Sequence, residues 1–305
     1  MDRSERQAWI GLPVIITMAA AVAWAGSQGG ARAGAVPVFA LSGALAFAIN
    51  WVVFVHAWFA QTERFFDLTG SITYVSVVGT AFVLSDAAES RALFLGILVL
   101  VWSLRLGSFL FLRIHRDGGD ARFDEMKPSF PRFLMAWTLQ GLWVFLTLAC
   151  ALAAITSTRF LPLGGFALVG AVMWSVGFSI EVIADRQKKR FRADPRNLGR
   201  FIQSGLWAWS RHPNYFGEIM LWVGVAIIAL PELSGWQYVT LVSPAFVYFL
   251  LTRISGIPLL EERAEEKWGH EPEYQAYRDR TPVLLLRRPP LFASQAPGPF
   301  LNGFA

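Results

Sequence analysis

Cysteine and charged residues are both scarce in this sequence. The chain of 305 residues has a single cysteine, Cys150, so no disulfide can form within it. Charged residues make up 16% of the chain, whereas hydrophobic residues make up 54% and include 13 Trp and 25 Phe. A water-soluble domain of this length could not bury so much apolar surface. The composition therefore predicts an all-α fold, a polytopic bundle of membrane helices.

Short motifs that mark metal and nucleotide sites are also absent from the sequence. The four histidines are dispersed and show no metal-ligand spacing: His56, His115, His212 and His270. Neither G-x-G-x-x-G nor G-x-x-x-x-G-K-[ST] occurs. We therefore expect no metal, and any nucleotide has to be held without a Rossmann fold or a P-loop.

Eight apolar segments are present, and most approach the roughly 20 residues that cross a bilayer as a helix. They comprise residues 9–25, 36–60, 71–84, 92–112, 133–155, 163–184, 215–230 and 237–252. The third is short and crosses only if the polar residues before it, 61–70, enter the membrane as helix. The sequence thus predicts seven to eight transmembrane helices in one domain, residues 1–281, followed by a Pro- and Gly-containing tail, residues 282–305.

Basic residues lie beside the apolar segments, and the formal net charge is +5. Residues 113–132 hold five of them and residues 185–211 hold eight, and two spans separate these segments. The positive-inside rule places both on the cytoplasmic side, together with both termini and residues 61–70. We expect a multi-pass integral membrane protein of a bacterial inner membrane, with its polar loops in the cytoplasm. The charge pattern gives no support for nucleic-acid binding.

Three side chains suited to catalysis are predicted near the start of the third span. Glu63, Asp67 and Tyr74 fall on one stripe if this segment is helical. A charge that enters a membrane span is costly and indicates a functional site. Arg105 lies within the fourth apolar segment, where pairing with Glu63 or Asp67 would offset its burial. The alternative is a solvated helix start in which Arg64 pairs outward.

Acidic and basic side chains follow the sixth span. Glu181 and Asp185 are placed at its C-terminal end, where a carboxylate opposes the helix dipole and needs a donor such as a ribose hydroxyl. Residues 186–192 carry five basic side chains that suit phosphates. The alternative is that this basic run only sets topology or meets anionic lipid.

Residues 210–218, S-R-H-P-N-Y-F-G-E, stand between that basic segment and the seventh span. Pro213 predicts the start of a helix because it has no N–H to lose in a first turn. Asn214 and Glu218 then share one face, since they are four residues apart. Together these segments predict a cytoplasmic mouth above an apolar bundle, which suits a phosphate-bearing cofactor and an apolar substrate.

Two stretches resemble the steroid 5-alpha-reductase family, and more narrowly its bacterial branch described only as a domain of unknown function. They are residues 205–218, G-L-W-A-W-S-R-H-P-N-Y-F-G-E, and residues 62–71, T-E-R-F-F-D-L-T-G-S. The resemblance covers residues 61–282. Isoprenylcysteine carboxyl methyltransferases and sterol C14 reductases carry close versions of R-H-P-N-Y-x-G-E, and the upstream stretch favours the reductase branch.

The resemblance implies an NADPH-dependent reduction of an enone such as a 3-oxo-Δ4-steroid. The expected partners are an apolar small-molecule substrate, steroid-like or another enone lipid, and membrane lipid. The residues that match cofactor-binding positions are Asp185, Arg192, Arg200, Trp207, His212, Asn214, Tyr215, Glu218 and Arg253, and Arg105 matches an arginine near the site. In the family an acid, here Glu63 or Asp67, is paired with a tyrosine that faces the substrate carbonyl. Trp102 occupies that tyrosine position in this sequence, which makes Tyr74 the substitute candidate.

Two other classes of protein remain open from the sequence. A methyltransferase would use the same mouth for S-adenosylmethionine, as in the isoprenylcysteine carboxyl methyltransferases. A lipid-binding or scaffold membrane protein would account for the basic loops. It predicts that Asn214 and Glu218 can be replaced without loss.

Overall fold

The fold is all-α, as predicted, and is described here from a computed structural model. The structure describes residues 2–87, 89–117 and 123–288, without the side chains of residues 112–117. Across these residues, eight helical spans are long and apolar enough to cross a membrane. Two short strands, Arg32–Ala33 and Val36–Pro37, pair antiparallel. The protein is therefore a multi-pass integral membrane protein.

The helices follow the predicted spans, with differences at their ends. They are α1 (Arg3–Gly26), α2 (Val38–Ala60), α3 (Phe66–Ser85), α4 (Ser90–Asp117), α5 (Phe130–Ile155), α6 (Gly165–Ala193), α7 (Pro213–Ala229), α8 (Val242–Phe249), α9 (Ile257–Trp268) and α10 (Pro272–Arg280). Between them lie the 3-10 turns Pro195–Asn197, Gly205–Ala208, Leu230–Glu232 and Gly235–Leu241 and the π turn Leu250–Ile254. The eighth span, Gly235–Trp268, is thus a succession of 3-10, α and π segments.

The chain divides into two compact units. Unit 1 comprises Met1–Trp174 and Trp222–Tyr248, and unit 2 comprises Ser175–Leu221 and Phe249–Ala305. Most of the predicted tail, residues 289–305, lies outside the described residues.

Helix α5 is the centre of unit 1. In the most apolar 18-residue stretch of α5, 89% of the residues are buried, whereas 28% are buried in the corresponding stretch of α1. A helix that is hydrophobic all round is expected to be buried, and α1, α2, α3 and α4 all pack against α5. The surrounding helices expose large apolar side chains such as Val52, Phe59 and Val83, which is what a lipid-facing surface requires.

Four short loops meet at one end of unit 1. Arg91 forms an ion pair with Glu232, with 3.2 Å between Nε and Oε1, and each residue is 3% exposed. Arg91 also donates to the carbonyl oxygens of Ile228 and Pro162. The backbone N–H of Ala31 donates to the carbonyl oxygen of Thr156. The loops that meet are residues 26–35, 85–87 with 89–91, 156–162 and 231–236, and each carries one basic residue or none.

A close helix contact shapes unit 2. A Cβ placed on Gly177 of α6 would lie 2.6 Å from the carbonyl oxygen of Gly217 of α7, so only hydrogen fits there. Trp207 is 3% exposed and donates from its indole N–H to the Ala184 carbonyl at 3.0 Å. The Tyr277 hydroxyl donates to the Trp207 carbonyl at 2.7 Å, which ties α10 to the same core.

The beginning of the predicted tail is hydrogen-bonded within unit 2. The N–H of Arg211 donates to the Pro282 carbonyl at 2.9 Å, and the N–H of Arg287 donates to the Trp209 carbonyl at 3.0 Å. The Ser210 hydroxyl also donates to the Leu284 carbonyl at 2.9 Å. Residues 282–287 therefore run along the segment that leads into α7.

Two predicted helix ends are wrong. Helix α2 ends where Gln61 adopts a left-handed conformation with φ of 48°, and α3 begins only at Phe66, so Glu63 lies in the turn between them. Helix α6 does not end near Asp185 but continues to Ala193, because the basic run consists of good helix formers. An extended Asp194 before Pro195 then stops it.

Candidate active site

A recess lies within unit 1 among α3, α4 and α5. The recess has room for about one water molecule. Its lining consists of Asp67, Gly70, Ser71 and Tyr74 from α3, Trp102, Ser103, Leu106 and Leu110 from α4, and Trp143 from α5. The recess thus gathers a carboxyl, a phenol and two hydroxyls against aromatic and aliphatic walls.

Glycines allow α3 and α4 to approach closely beside the recess. A Cβ on Gly107 would lie 1.9 Å from Ser71 Oγ, so any side chain there would collide. The Ser71 hydroxyl donates to the Ser103 carbonyl at 3.1 Å. Gln140 of α5 donates to the Phe66 carbonyl at 2.7 Å and fixes the first turn of α3. The position of α3 is therefore held from two sides.

Aromatic rings pack behind the recess. The ring of Tyr74 meets that of Trp102 edge-on with 5.1 Å between centroids, and Trp102 meets Trp222 at 4.9 Å. Tyr74 is 2% exposed and both indoles are 0% exposed. Edge-to-face pairs at these distances are favourable beyond the area they bury. The phenol of Tyr74 is consequently held in one orientation.

Glu63 does not lie on the stripe predicted for it. Its carboxylate is paired with the Lys127 ammonium, with 2.8 Å between Oε2 and Nζ, and Asp124 shares that ammonium at 3.0 Å. The hydrogen bond to Glu63 raises the pKa of Lys127. The Arg105 guanidinium lies 5.4 Å from the ring centroid of Phe109. Of the two candidate acids, Asp67 is the one that lines the recess with Tyr74.

Arg211, His212 and Glu261 form an ionic cluster in unit 2. Arg211 Nη1 lies 2.8 Å from Glu261 Oε2, a close ion pair whose N–H is not aligned as a hydrogen bond. His212 Nε2 lies 2.7 Å from Glu261 Oε1. Because an ionised carboxylate only accepts, Nε2 carries the proton and Nδ1 is an acceptor. Nδ1 is buried and has no hydrogen-bond partner among the described residues.

Burial lowers the pKa of His212, which is 5% exposed. The nearby positive charges of Lys188 and Arg211 act in the same direction, whereas the hydrogen bond to Glu261 opposes it. The imidazole is therefore neutral near pH 7, which agrees with the assigned tautomer. Its ring stacks on that of Tyr215, with 5.7 Å between centroids.

Three carboxylates of unit 2 are buried: Glu181 at 2% exposure, Asp185 at 8% and Glu218 at 8%. Since α6 continues past Asp185, the expected conflict with the helix dipole at that position does not arise. Helix α7 begins at Pro213 as predicted, and this places Asn214 and Glu218 one turn apart at its start.

The remaining predicted cofactor residues also belong to unit 2. Arg192, Arg200 and Arg253 are exposed. Trp207 is part of the core, and the Lys188 ammonium lies 4.5 Å from the centroid of its ring. The described residues include no group of three or more His, Cys, Asp or Glu side chains placed to hold a metal ion.

Sequence reasoning did not identify two ionic partners. Glu261 pairs with Arg211 and His212, which precede it by 50 and 49 residues in the chain. No local spacing in the sequence predicts such a contact. Lys127 pairs with Glu63 from a different loop. A weak signal existed for Lys127, because it is one of only four lysines in the chain.

The fold and these side chains define a multi-pass membrane helix bundle with a polar recess in unit 1 and an ionic cluster in unit 2. The chain belongs to the family described as "Protein of unknown function (DUF1295)", which matches residues 53–281. The match includes both the recess residues and the segment 210–218.

Three relatives show low identity to this chain. The uncharacterized protein C594.04c of Schizosaccharomyces pombe is 23% identical over 64% of the chain and 63% of the relative. The probable O-methyltransferase ustE of Ustilaginoidea virens is 28% identical over 50% of the chain and 56% of the relative. The 3-oxo-5-alpha-steroid 4-dehydrogenase 1 of Bos taurus is 27% identical over 34% of the chain and 35% of the relative. No solved structure matches significantly. The chain therefore spans less than two thirds of each of these relatives.

Proposed function

We propose that the protein is an integral-membrane reductase that uses NADPH to reduce the C=C bond of an apolar enone. The observation that carries this proposal is the recess of unit 1, where Asp67 and Tyr74 share an aromatic-walled space. A carboxyl and a phenol facing one apolar recess suit a carbonyl group that needs a hydrogen-bond donor. The similarity to 3-oxo-5-alpha-steroid 4-dehydrogenase 1 supports the same class of reaction.

The contribution of unit 1 is electrostatic. When a nucleophile adds to the β-carbon of an enone, negative charge develops on the carbonyl oxygen. The hydroxyl of Tyr74, or the protonated carboxyl of Asp67, donates a hydrogen bond to that oxygen. A single preorganised donor of this kind is typically worth about 10²–10³ in kcat. The surrounding rings keep water out, which strengthens the interaction.

The side chains of unit 2 fit the chemistry of NADPH. Exposed Arg192 and Arg200 can pair with phosphates, and the carboxylates of Asp185 and Glu218 can accept hydrogen bonds from ribose hydroxyls. Buried His212 Nδ1 offers an acceptor that the described protein leaves unused. NADPH supplies a hydride when bound. The residues of unit 2 would hold and orient it.

A methyltransferase that uses S-adenosylmethionine is the second candidate. The similarity to the probable O-methyltransferase ustE favours it. S-adenosylmethionine carries one carboxylate and no phosphate, so it would offer the five basic side chains that follow Asp185 in α6 far less anionic charge than NADPH does. For this reason, and because a methyl transfer has no need of the Asp67–Tyr74 pair, we favour the reductase.

The substrate and location follow from the same reasoning. An apolar enone, steroid-like or of another lipid class, would partition into the bilayer that surrounds the exposed apolar side chains. We place the protein in a bacterial inner membrane with the cofactor residues on the cytoplasmic side, where NADPH is available. No nucleic acid or metal takes part.

Ligand-induced thermal stabilisation tests the cofactor. In detergent, NADPH at about a hundredfold excess over Kd should add about 2.7 kcal/mol to the stability of the purified protein, and S-adenosylmethionine should add none. Arg192→Ala should weaken the NADPH effect. Arg196→Ala is the matched control, since Arg196 is exposed and paired with neighbouring Asp194. A shift with S-adenosylmethionine alone would replace the reductase by the methyltransferase.

A further inference from the structure

The depth of the recess in unit 1 is set by Trp102. Its indole is 0% exposed and lines the recess from α4. It packs edge-on between Tyr74 at 5.1 Å and Trp222 at 4.9 Å, so it cannot turn aside without displacing two other rings. Protein interiors are packed as densely as organic crystals, and such a wall does not yield to a larger ligand.

The space in front of this wall is small. It has room for about one water molecule, so an enone that reaches Asp67 and Tyr74 has to displace lining side chains, and a larger body has to displace more of them. A 3-oxo-Δ4-steroid would require the largest displacement. Its β-carbon is a ring-fusion atom that carries the second ring and adjoins a methyl-bearing carbon. The reacting atom therefore cannot enter without much of the fused skeleton.

The polar groups of the recess are suited to one carbonyl. Ser71 donates to the Ser103 backbone carbonyl, so this hydroxyl proton is already used between α3 and α4. Asp67 and Tyr74 supply the acidic groups, and Leu106 and Leu110 supply apolar wall. A ligand with a single carbonyl and a compact apolar body matches this lining.

We propose that Trp102 is the size-determining residue of the site, and that the substrates are compact enones, with one or two rings or an open chain, rather than tetracyclic steroids. This inference rests on the proposed reductase function for its kinetic test. It has a separate binding test that needs no turnover.

The experiment compares 2-cyclohexenone, a bicyclic octalone and 4-androstene-3,17-dione. For the parent protein, kcat/KM for the one- and two-ring enones should exceed that for the steroid by at least about 100-fold. Trp102→Ala should reduce this ratio at least about tenfold by admitting the steroid, and Trp102→Phe should fall between the two. Trp236→Ala is the matched control, because Trp236 is exposed at the start of the 3-10 turn Gly235–Leu241 and does not line the recess.

Binding of the same ligands, measured by thermal shift, separates this inference from the function. One outcome would show that the proposed reductase function is wrong while the size limit set by Trp102 is right. In that outcome no enone drives NADPH oxidation, compact enones still bind to the parent, and the steroid binds only to Trp102→Ala. If the folded parent binds or reduces the steroid as well as 2-cyclohexenone, the size limit is wrong. A ratio that neither Trp102 variant alters would also overturn it. Trp102→Phe retains an aromatic ring, so the test survives if Trp102→Ala does not fold.

Discussion

His212 shows how a single residue links burial to protonation. Burial lowers its pKa in the folded protein, whereas in the unfolded chain the value is near 6.5. The folded state therefore binds fewer protons than the unfolded state at mildly acidic pH. The stabilisation is complete above about pH 6.5 and is lost as the pH falls toward the folded value.

We predict that the melting temperature of the protein falls as the pH is lowered from about 7.5 to about 5, and that His212→Gln flattens this dependence. Glutamine keeps a donor for Glu261 but cannot be protonated. His270→Gln is the control, because His270 is exposed and should leave the dependence intact. The measurement is thermal unfolding across that pH range. An identical pH slope in His212→Gln and parent would contradict the assignment.

The position of a functional side chain could be predicted from the sequence only where a single helix determines that position. Asp67 and Tyr74 are seven residues apart in one helix, so periodicity alone indicates a shared face, and both line the recess. Glu63 was assigned to the same face because the helix was expected to include it. The left-handed turn at Gln61 removes it from the helix. The contact of His212 with Glu261 depends on tertiary folding and left no trace in the sequence.

At the scale of elements, the approach of α3 to α4 is the contact on which the recess depends. Gly107→Ala adds a Cβ that would lie 1.9 Å from Ser71 Oγ, which is too close for a non-bonded contact. We predict a loss of about 1–3 kcal/mol in stability, the usual cost of overpacking, together with reduced enone binding. The measurement is thermal unfolding in detergent with and without ligand.

Gly79→Ala is the matched control for that prediction. Gly79 lies in α3, and a Cβ there meets nothing within 4 Å. The substitution should leave stability unchanged or raise it slightly, because alanine favours the helix over glycine. If both variants behave alike, the close approach of α3 and α4 is not what holds the recess.

The existence of elements was easier to predict than their ends. Hydrophobic length marked eight segments and left open whether the third crosses, and the described residues contain eight helical spans that are long and apolar enough. The Pro213 start of α7 followed from proline's missing N–H. The end of α6 did not follow, because polar helix formers continue a helix beyond its apolar part. Interruption of the eighth span by the π turn Leu250–Ile254 was equally hidden, since apolar composition does not report the hydrogen-bond pattern.

At the scale of the whole molecule, eight spans put both termini on the same side of the membrane. Topology reporters fused before residue 3 and after residue 288 should both report the cytoplasm. Reporters inserted in residues 85–91 or 156–162 should report the opposite side, since these loops meet at one end of unit 1. Termini on opposite sides would mean that one of the eight helices does not cross.

The central claim is that the protein reduces an enone with NADPH and that Asp67 and Tyr74 serve the carbonyl. The most direct measurement is enone-dependent NADPH oxidation by the purified protein, alongside methyl transfer from S-adenosylmethionine to the same mixture. We predict oxidation by the parent, a loss of about 10²–10³ in kcat for Asp67→Asn or Tyr74→Phe with NADPH still bound, and parental turnover for the Glu63→Gln control. Methyl transfer without NADPH oxidation, or full turnover by both recess variants, would contradict the account.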